Sequence, residues 1–227
     1  MSAAVVAVSG TGTNVGKTYV ATALTMALAK RGPVTGVKPY ESGHDAALGS
    51  DQQALAAAST TSASALGFSL VCFPEPVAPP EAARRAGARV DLDAFLATFQ
   101  AVRLRASGVL VLELAGGLFS PFDDASSNVD VLRALAPEHH VLVAPNRLGV
   151  IHDARATVRA SCAEGLAIDT LVVSHPPGAG DDASCRSNVS ALAHLLHSTP
   201  LVLAAAPVTR AAELLGEAWD RGAFRRR

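Results

Sequence analysis

Near its N-terminus the chain reads Gly10-Thr11-Gly12-Thr13-Asn14-Val15-Gly16-Lys17-Thr18. Glycines let successive backbone N–H groups curl around an anion without side chains in the way. A helix beginning at Lys17 would add its positive end to the same spot. Such a turn suits a phosphate chain, with the Lys17 ammonium on the β- and γ-phosphates and the Thr18 hydroxyl on Mg2+. The spacing differs from the usual G-x-x-x-x-G-K-[ST], because Thr11 stands five residues before Gly16 and Gly10 stands six before. The loop is therefore one residue longer, or its first glycine is replaced. Gly12, Thr13, Asn14, Val15, Gly16, Lys17 and Thr18 are the expected nucleotide contacts.

A phosphate cradle binds but does not by itself react, and further polar segments supply candidates. Lys38-Pro39-Tyr40-Glu41-Ser42-Gly43 follows an apolar run and brings an ammonium and a hydroxyl to one strand end. Pro39 fixes the turn there and Gly43 permits close approach. Asp51, after Gly49-Ser50, opens a helix and is either its N-cap or an acidic metal ligand. Glu113 ends the apolar run Val109-Leu110-Val111-Leu112 and precedes Ala115-Gly116-Gly117. A carboxylate at a buried strand end beside glycines suits Mg2+ or water bound to it.

Positioning these groups requires repeated strand–helix units, and the apolar runs have that rhythm. Strands are expected over 5–9, 34–38, 109–113, 141–144, 170–174 and 201–204. Helices are expected over 17–31, 91–105, 129–135, 152–164, 183–196 and 210–219, with a Pro-rich crossing at 73–86 ahead of a short helix. The implied fold class is α/β: a mostly parallel sheet with helices on both faces, of the P-loop NTPase type, in one domain over 1–227. Ligands of such sheets sit at the carboxyl ends of the strands, where all the polar segments above fall.

Composition agrees with that plan. Hydrophobic residues make up 49% of the chain and charged ones 17%, which excludes disorder and supplies a sizeable core. A net charge of −1 offers nothing global to nucleic acid or an anionic membrane, so neither is expected as a partner. The apolar start at 3–8 is too short for a signal segment or a bilayer span, which predicts a cytoplasmic location. Cys72, Cys162 and Cys185 show no CxxC spacing and read as reduced packing residues. His139-His140 read as surface or strand-edge residues without metal-ligand spacing, and the tail Phe224-Arg225-Arg226-Arg227 as a frayed basic end.

The motifs GTGTNVGKT at 10–18, KPYESG at 38–43, SD at 50–51, ELAGG at 113–117 and RLGVIH at 147–152, in this order, resemble the dethiobiotin synthetase family. The resemblance runs to about Pro207. It implies an ATP- and Mg2+-dependent ligase that closes the cyclic urea of 7,8-diaminopelargonic acid with CO2 or bicarbonate, acting as a homodimer. Carried onto this chain, it makes Lys17, Lys38, Thr13 and Ser42 the catalytic set and Thr18, Asp51 and Glu113 the Mg2+ ligands. Ser174, His175 and Pro207 join the phosphate loop and Glu113 around the nucleotide. Ser42, Gly116, Leu148, Gly149, Val150, Ile151 and His152 are the implied substrate contacts, the turn from Leu148 receiving the substrate carboxylate.

Three positions depart from the family pattern. Leu114 replaces the first glycine of Glu-Gly-Ala-Gly-Gly and either narrows the substrate channel or points into the core. His152-Asp153 replaces Asn-His, setting a carboxylate near the substrate's own. Ser174-His175-Pro176-Pro177 replaces the base-reading Asn, and one hydroxyl cannot reproduce an amide's paired contacts, which predicts weak base selectivity. Two other readings compete: a switch ATPase of the partitioning or septum-site type, and a family member that binds nucleotide without closing the ring. The first would carry an extra lysine early in the loop, and none stands between Gly10 and Val15.

Overall fold

The computed structural model describes residues 2–43, 50–196, 201–204 and 208–222. In chain order the regular elements are β1 (Ala4–Gly10), α1 (Lys17–Ala29), β2 (Val34–Val37), β3 (Tyr40–Ser42), α2 (Asp51–Ala58) and β4 (Val71–Phe73). Then come α3 (Pro79–Arg85), α4 (Leu92–Arg105), β5 (Val109–Glu113), α5 (Asn128–Leu135) and β6 (His139–Pro145). The chain ends with α6 (Val150–Ala163), β7 (Thr170–Ser174), α7 (Asn188–Leu195), β8 (Leu201–Ala204) and α8 (Val208–Asp220).

Six strands form one sheet in the order β2-β5-β1-β6-β7-β8, every neighbouring pair parallel. Alternation along β1 divides the core. Val5 and Ala7 face Leu110, Leu112, Phe95 and Phe99 on one side, beneath α4 and α5. Val6 and Val8 face the other way and pack with Val111, Val143, Leu24 and Leu215, beneath α1 and α8. Burying one such leucine contributes about 2 kcal/mol, and because both faces of β1 are covered, a register slip of one residue would exchange its side chains between the two core layers. The chain leaves β1 for β2 on one side and later places β6 on the other. The carboxyl end of β1 is therefore the point where connections diverge and a crevice opens.

All six expected strands are present, with ends shifted by up to two residues. Two short strands escaped the sequence reading. β3 and β4 pair in parallel, Tyr40 with Val71 and Ser42 with Phe73, as a separate ribbon. Three-residue strands carry too little alternation to be read. The helix expected over 183–196 is interrupted. A 3-10 turn, Ala183–Arg186, precedes α7 because the Asp182 carboxylate accepts from the Ser184 N–H at 2.8 Å and sets a tight local turn. His139 and His140 lie within β6 rather than before it, and His140 is buried. Its Nε2 stands 2.8 Å from Ser9 Oγ and its Nδ1 3.0 Å from the Ala167 carbonyl, a packed interior role. The tail at 224–227 lies outside the described residues. Among those described, no helix is long and apolar enough to cross a membrane.

Candidate functional site

The turn after β1 is built so that its N–H groups stay available. Gly16 is the N-cap of α1 with φ 88°, and no side chain caps the helix. A Cβ on Gly16 would sit 2.2 Å from Ser174 Oγ, so β7 packs directly against this glycine. Asn14 also has positive φ, 57°, the αL state that asparagine tolerates best among residues with a Cβ. Gly117 from the β5 loop approaches from the other side, where a Cβ would lie 3.1 Å from Gly12 Cα. The result is an uncapped helix end under a tight cradle, a ready anion site.

Two lysines and two carboxylates meet beside the cradle. The Lys17 ammonium donates to the Gly12 carbonyl at 2.8 Å. Lys38 is buried and donates to Glu113 Oε1 at 2.9 Å and to Asp51 Oδ2. Thr18 Oγ1 donates to the same Glu113 oxygen at 2.7 Å. The environments of the two lysines diverge. Burial lowers Lys17 to about 8, opposed by Glu113 and assisted by the nearby Lys38 charge. Burial also works against the Lys38 ammonium, but Glu113 and Asp51 outweigh it and hold the group above its ordinary value. Lys38 is thus a permanent cation, whereas Lys17 is one whose charge an incoming anion would stabilise.

A cleft of about 520 Å3 opens here, lined by Thr13, Lys17, Thr18, Lys38, Ser42 and Glu113 among others. Asn14, Gly16, Asp51 and Gly116 also line it, so most of the expected catalytic, metal and cradle residues converge. Val15 is buried and Gly12 acts through its carbonyl. A second cleft of about 380 Å3 lies across the phosphate loop, between Thr13, Asn14 and Val15 on one wall and Asn146, Ser174 and Gly180 on the other. Ser174 is buried and its hydroxyl has no hydrogen-bond partner among the described residues. His175 lines a third cleft with Asn146 and Asp181, and Pro207 lies outside the described residues.

The turn Leu148–His152 does not line the phosphate cleft. Gly149, with φ 95°, caps α6, Val150 is buried, and Leu148 is 78% exposed. The Leu148 N–H, expected to face a substrate carboxylate, already donates to Asp182 Oδ2 at 2.7 Å. Asp153 stands in the first turn of α6, where the helix end favours a negative charge.

Two open alternatives are decided here, and one expectation needs correction. Ser50 caps α2, accepting from the Gln53 N–H at 3.0 Å, and Asp51 follows it as the first helical residue, turned toward Lys38. Leu114 is fully buried in the core under α4 and α5 and narrows no channel. The cysteines are not packing residues: Cys72 and Cys162 are exposed and Cys185 is half-buried. The sequence reading also passed over supporting groups. Glu41 accepts from the Asp51 N–H at 3.0 Å, and Gln52 Oε1 accepts from the Lys38 N–H at 2.9 Å. Asn128 fixes the β5 turn by donating to the carbonyls of Ala115 and Gly117, each at 2.8 Å. Glu41 alone left a signal, as the one acidic residue of the segment Lys38–Gly43.

A family model described as an AAA domain matches residues 4–213. The ATP-dependent dethiobiotin synthetase BioD of Caulobacter sp. (strain K31) is 36% identical over 223 residues, covering 96% of this chain and 90% of the relative. The protein of the same name from Saccharopolyspora erythraea is 36% identical over 229 residues, covering 96% and 99%. Among solved structures, the MinC:MinD cell division protein complex of Aquifex aeolicus matches with TM-score 0.54 at 12% identity, over 96% of this chain and 95% of that one. The signal recognition particle receptor FtsY of Elizabethkingia anophelis in complex with GDP matches with TM-score 0.52 at 17% identity, over 100% and 65%. At such identities the structural likeness extends to the fold alone.

Proposed function

The chain belongs to the dethiobiotin synthetase family of ATP-dependent ligases, and from that premise we propose that it closes the cyclic urea of 7,8-diaminopelargonic acid with CO2. The observation that carries this reading is the meeting of Lys17, Lys38, Thr18 and Glu113 beside an uncapped helix end. A carbamate and a triphosphate are both anionic, and cations with N–H donors must bring them together.

The reaction balances as follows. One amine adds to CO2, forming an N–C bond and releasing a proton as the carbamate forms. The carbamate oxygen attacks the γ-phosphorus, the bond to the β-bridging oxygen breaks, and ADP leaves with that electron pair. The second amine attacks the carbonyl carbon of the mixed anhydride. Phosphate departs with the C–O pair, and the amine proton passes to solvent or phosphate. In this reading Lys17 and the turn N–H groups hold the phosphates. Lys38 neutralises the carbamate, and Thr13 and Ser42 hold its oxygens or those of the γ-phosphate. The turn from Leu148 takes the distal carboxylate, with Asp182 displaced from the Leu148 N–H. The reading further includes a single domain, a homodimer and a cytoplasmic setting.

Thr18, Asp51 and Glu113 supply the hard oxygen donors that Mg2+ takes. Glu113 Oε2 is buried and without a hydrogen-bond partner among the described residues, so the donor set fits the ion. When bound, Mg2+ would neutralise phosphate charge and polarise the transferring group.

The test is phosphate release from Mg-ATP with and without the diamine and bicarbonate, with product mass determined alongside. Release that requires both, with gain of one carbonyl bridge, is expected. Nucleotide binding without diamine-dependent turnover would overturn the proposal. Lys38→Ala should retain nucleotide binding and lose turnover by about 100-fold or more, the scale of one removed transition-state charge contact.

A further inference from the structure

Away from the phosphate cleft, three different ligand types converge on the loop after β7. One ligand atom each from His175, Asp181 and Cys185 lies within 4.8 Å of the other two. His175 Nε2 is 3.1 Å from Asp181 Oδ1, the separation of two ligands on one tetrahedral Zn2+, whose bonds to N and O are about 2.0 Å. The remaining separations are at most 4.8 Å, against about 3.5 Å for ligands on one such ion, so small side-chain shifts close the set. The Cys185 thiol now donates to the Asn146 carbonyl at 3.1 Å and accepts from the Asp182 N–H at 3.5 Å, so it already faces this corner.

Two further observations single out these residues. His175 Nδ1 is buried with no hydrogen-bond partner among the described residues, leaving half of the imidazole's polar capacity unspent. The adjacent Asp182 is fully engaged by Ser184 and Leu148, whereas Asp181 is exposed and pairs with His175. The chain thus presents one carboxylate, one imidazole and one thiol around a cleft of about 600 Å3. Arg186 also lines this cleft.

We propose that His175, Asp181 and Cys185 form a site for a thiolate-accepting divalent transition ion of the Zn2+ class, with its fourth position open to the cleft. The mixed nitrogen, oxygen and sulfur set selects against Mg2+ and Ca2+, which take oxygen alone. On binding, the Cys185 S–H bond breaks, its proton passes to solvent, and the sulfur keeps the pair that forms the metal bond. The ion ties residues 175 and 181 together and so fixes the loop between them. Pro176, Ala179 and Gly180 of that loop wall the cleft across the phosphate turn, so metal occupancy there shapes the surface next to the nucleotide.

The test uses the untagged full chain, freed of metal, with Co2+ as a spectroscopic probe. One Co2+ per chain is expected, with the near-ultraviolet charge-transfer band of a cobalt–thiolate bond. Cys185→Ser should abolish the band, and His175→Ala and Asp181→Asn should each weaken Co2+ binding at least about tenfold. The Cys72→Ser/Cys162→Ser double variant should retain the band. No band with Co2+ in large excess, a band that survives Cys185→Ser, or affinity indifferent to His175 and Asp181 would each overturn the site. Should Cys185→Ser fail to fold, Asp181→Asn decides, because that side chain is exposed and its removal leaves the core untouched. None of these readouts depends on ligase activity.

Discussion

Lys17 should make nucleotide binding take up a proton in mildly alkaline solution. Burial holds its amine at about 8, against the ordinary 10.5. Between those two values the unfolded chain keeps a proton that the folded chain has released, so stability rises with pH across that window. Below about pH 8 both states carry the charge, and the burial cost, on the order of 3 kcal/mol, is fully felt. A bound triphosphate supplies the counter-charge that Lys17 lacks and favours the ammonium again. At pH 9 only about one free chain in ten would carry it, so binding should weaken about tenfold relative to pH 7, or about 1.4 kcal/mol. Glu113, Asp51 and Lys38 also face this group, and Lys38, held above its ordinary value, keeps its charge throughout the range. Calorimetric titration of Mg-ATP in two buffers of different ionisation enthalpy would read the effect directly. Uptake of about 0.1, 0.5 and 0.9 proton per chain is expected at pH 7, 8 and 9. Affinity unchanged from pH 7 to 9 with no proton uptake would refute the argument that burial sets the charge of Lys17.

Three other perturbations probe the same framework. Gly16→Ala combines positive φ with a Cβ 2.2 Å from Ser174 Oγ, and should cost about 1–3 kcal/mol in chemical denaturation. A second change, Ser174→Gly, should return part of that loss, whereas strict additivity would show that the contact is immaterial. Leu114→Ala should destabilise by about 2–5 kcal/mol as a buried cavity without improving diamine affinity. Better turnover at unchanged stability would instead place this side chain in the substrate path. Finally, GTP and CTP should support rates within about tenfold of ATP, since a lone hydroxyl separates bases by little over 1 kcal/mol. Strict ATP dependence in competition assays would sink that expectation.

The large features were legible because their physics is local. A short β-branched apolar run such as Val109–Leu112, bounded by Gly108 and Gly116-Gly117, reads as a buried strand, and β5 sits there. The phosphate turn was readable from type and spacing together, since Gly16 occupies the αL position that opens α1. What could not be read was decided by partners far along the chain. Locally, Asp51 could be a cap or a metal ligand, and the choice rested on Ser50 taking the cap and Lys38 pairing with the carboxylate. Asn128 gave no hint that it holds the turn at Ala115 and Gly117, because nothing local to Asn128 needs an amide. The cluster of His175, Asp181 and Cys185 was equally hidden. Its spacing matches no short metal motif, and only the turn imposed by Asp182 brings the sulfur round.

The three departures from the family pattern separate according to where each side chain lies. Leu114 is spent on packing beneath α4 and α5, so it alters the core and leaves the cleft lining to Ala115 and Gly116. Asp153 sits in the first turn of α6, and the more direct obstacle to a substrate carboxylate is Asp182, which holds the Leu148 N–H. A carboxylate ligand that takes this N–H displaces Asp182 Oδ2, while the other oxygen, Oδ1, still accepts from the Ser184 N–H of the 3-10 turn. Ser174 lines the cleft across the phosphate turn, where its hydroxyl lies beside Gly16. Under the proposed ligase reading, the two departures outside the core, Ser174 and His152-Asp153, fall at the base end and the distal-carboxylate end of the reaction complex. Selectivity at those ends, and not phosphoryl transfer, is where this chain should differ from its relatives.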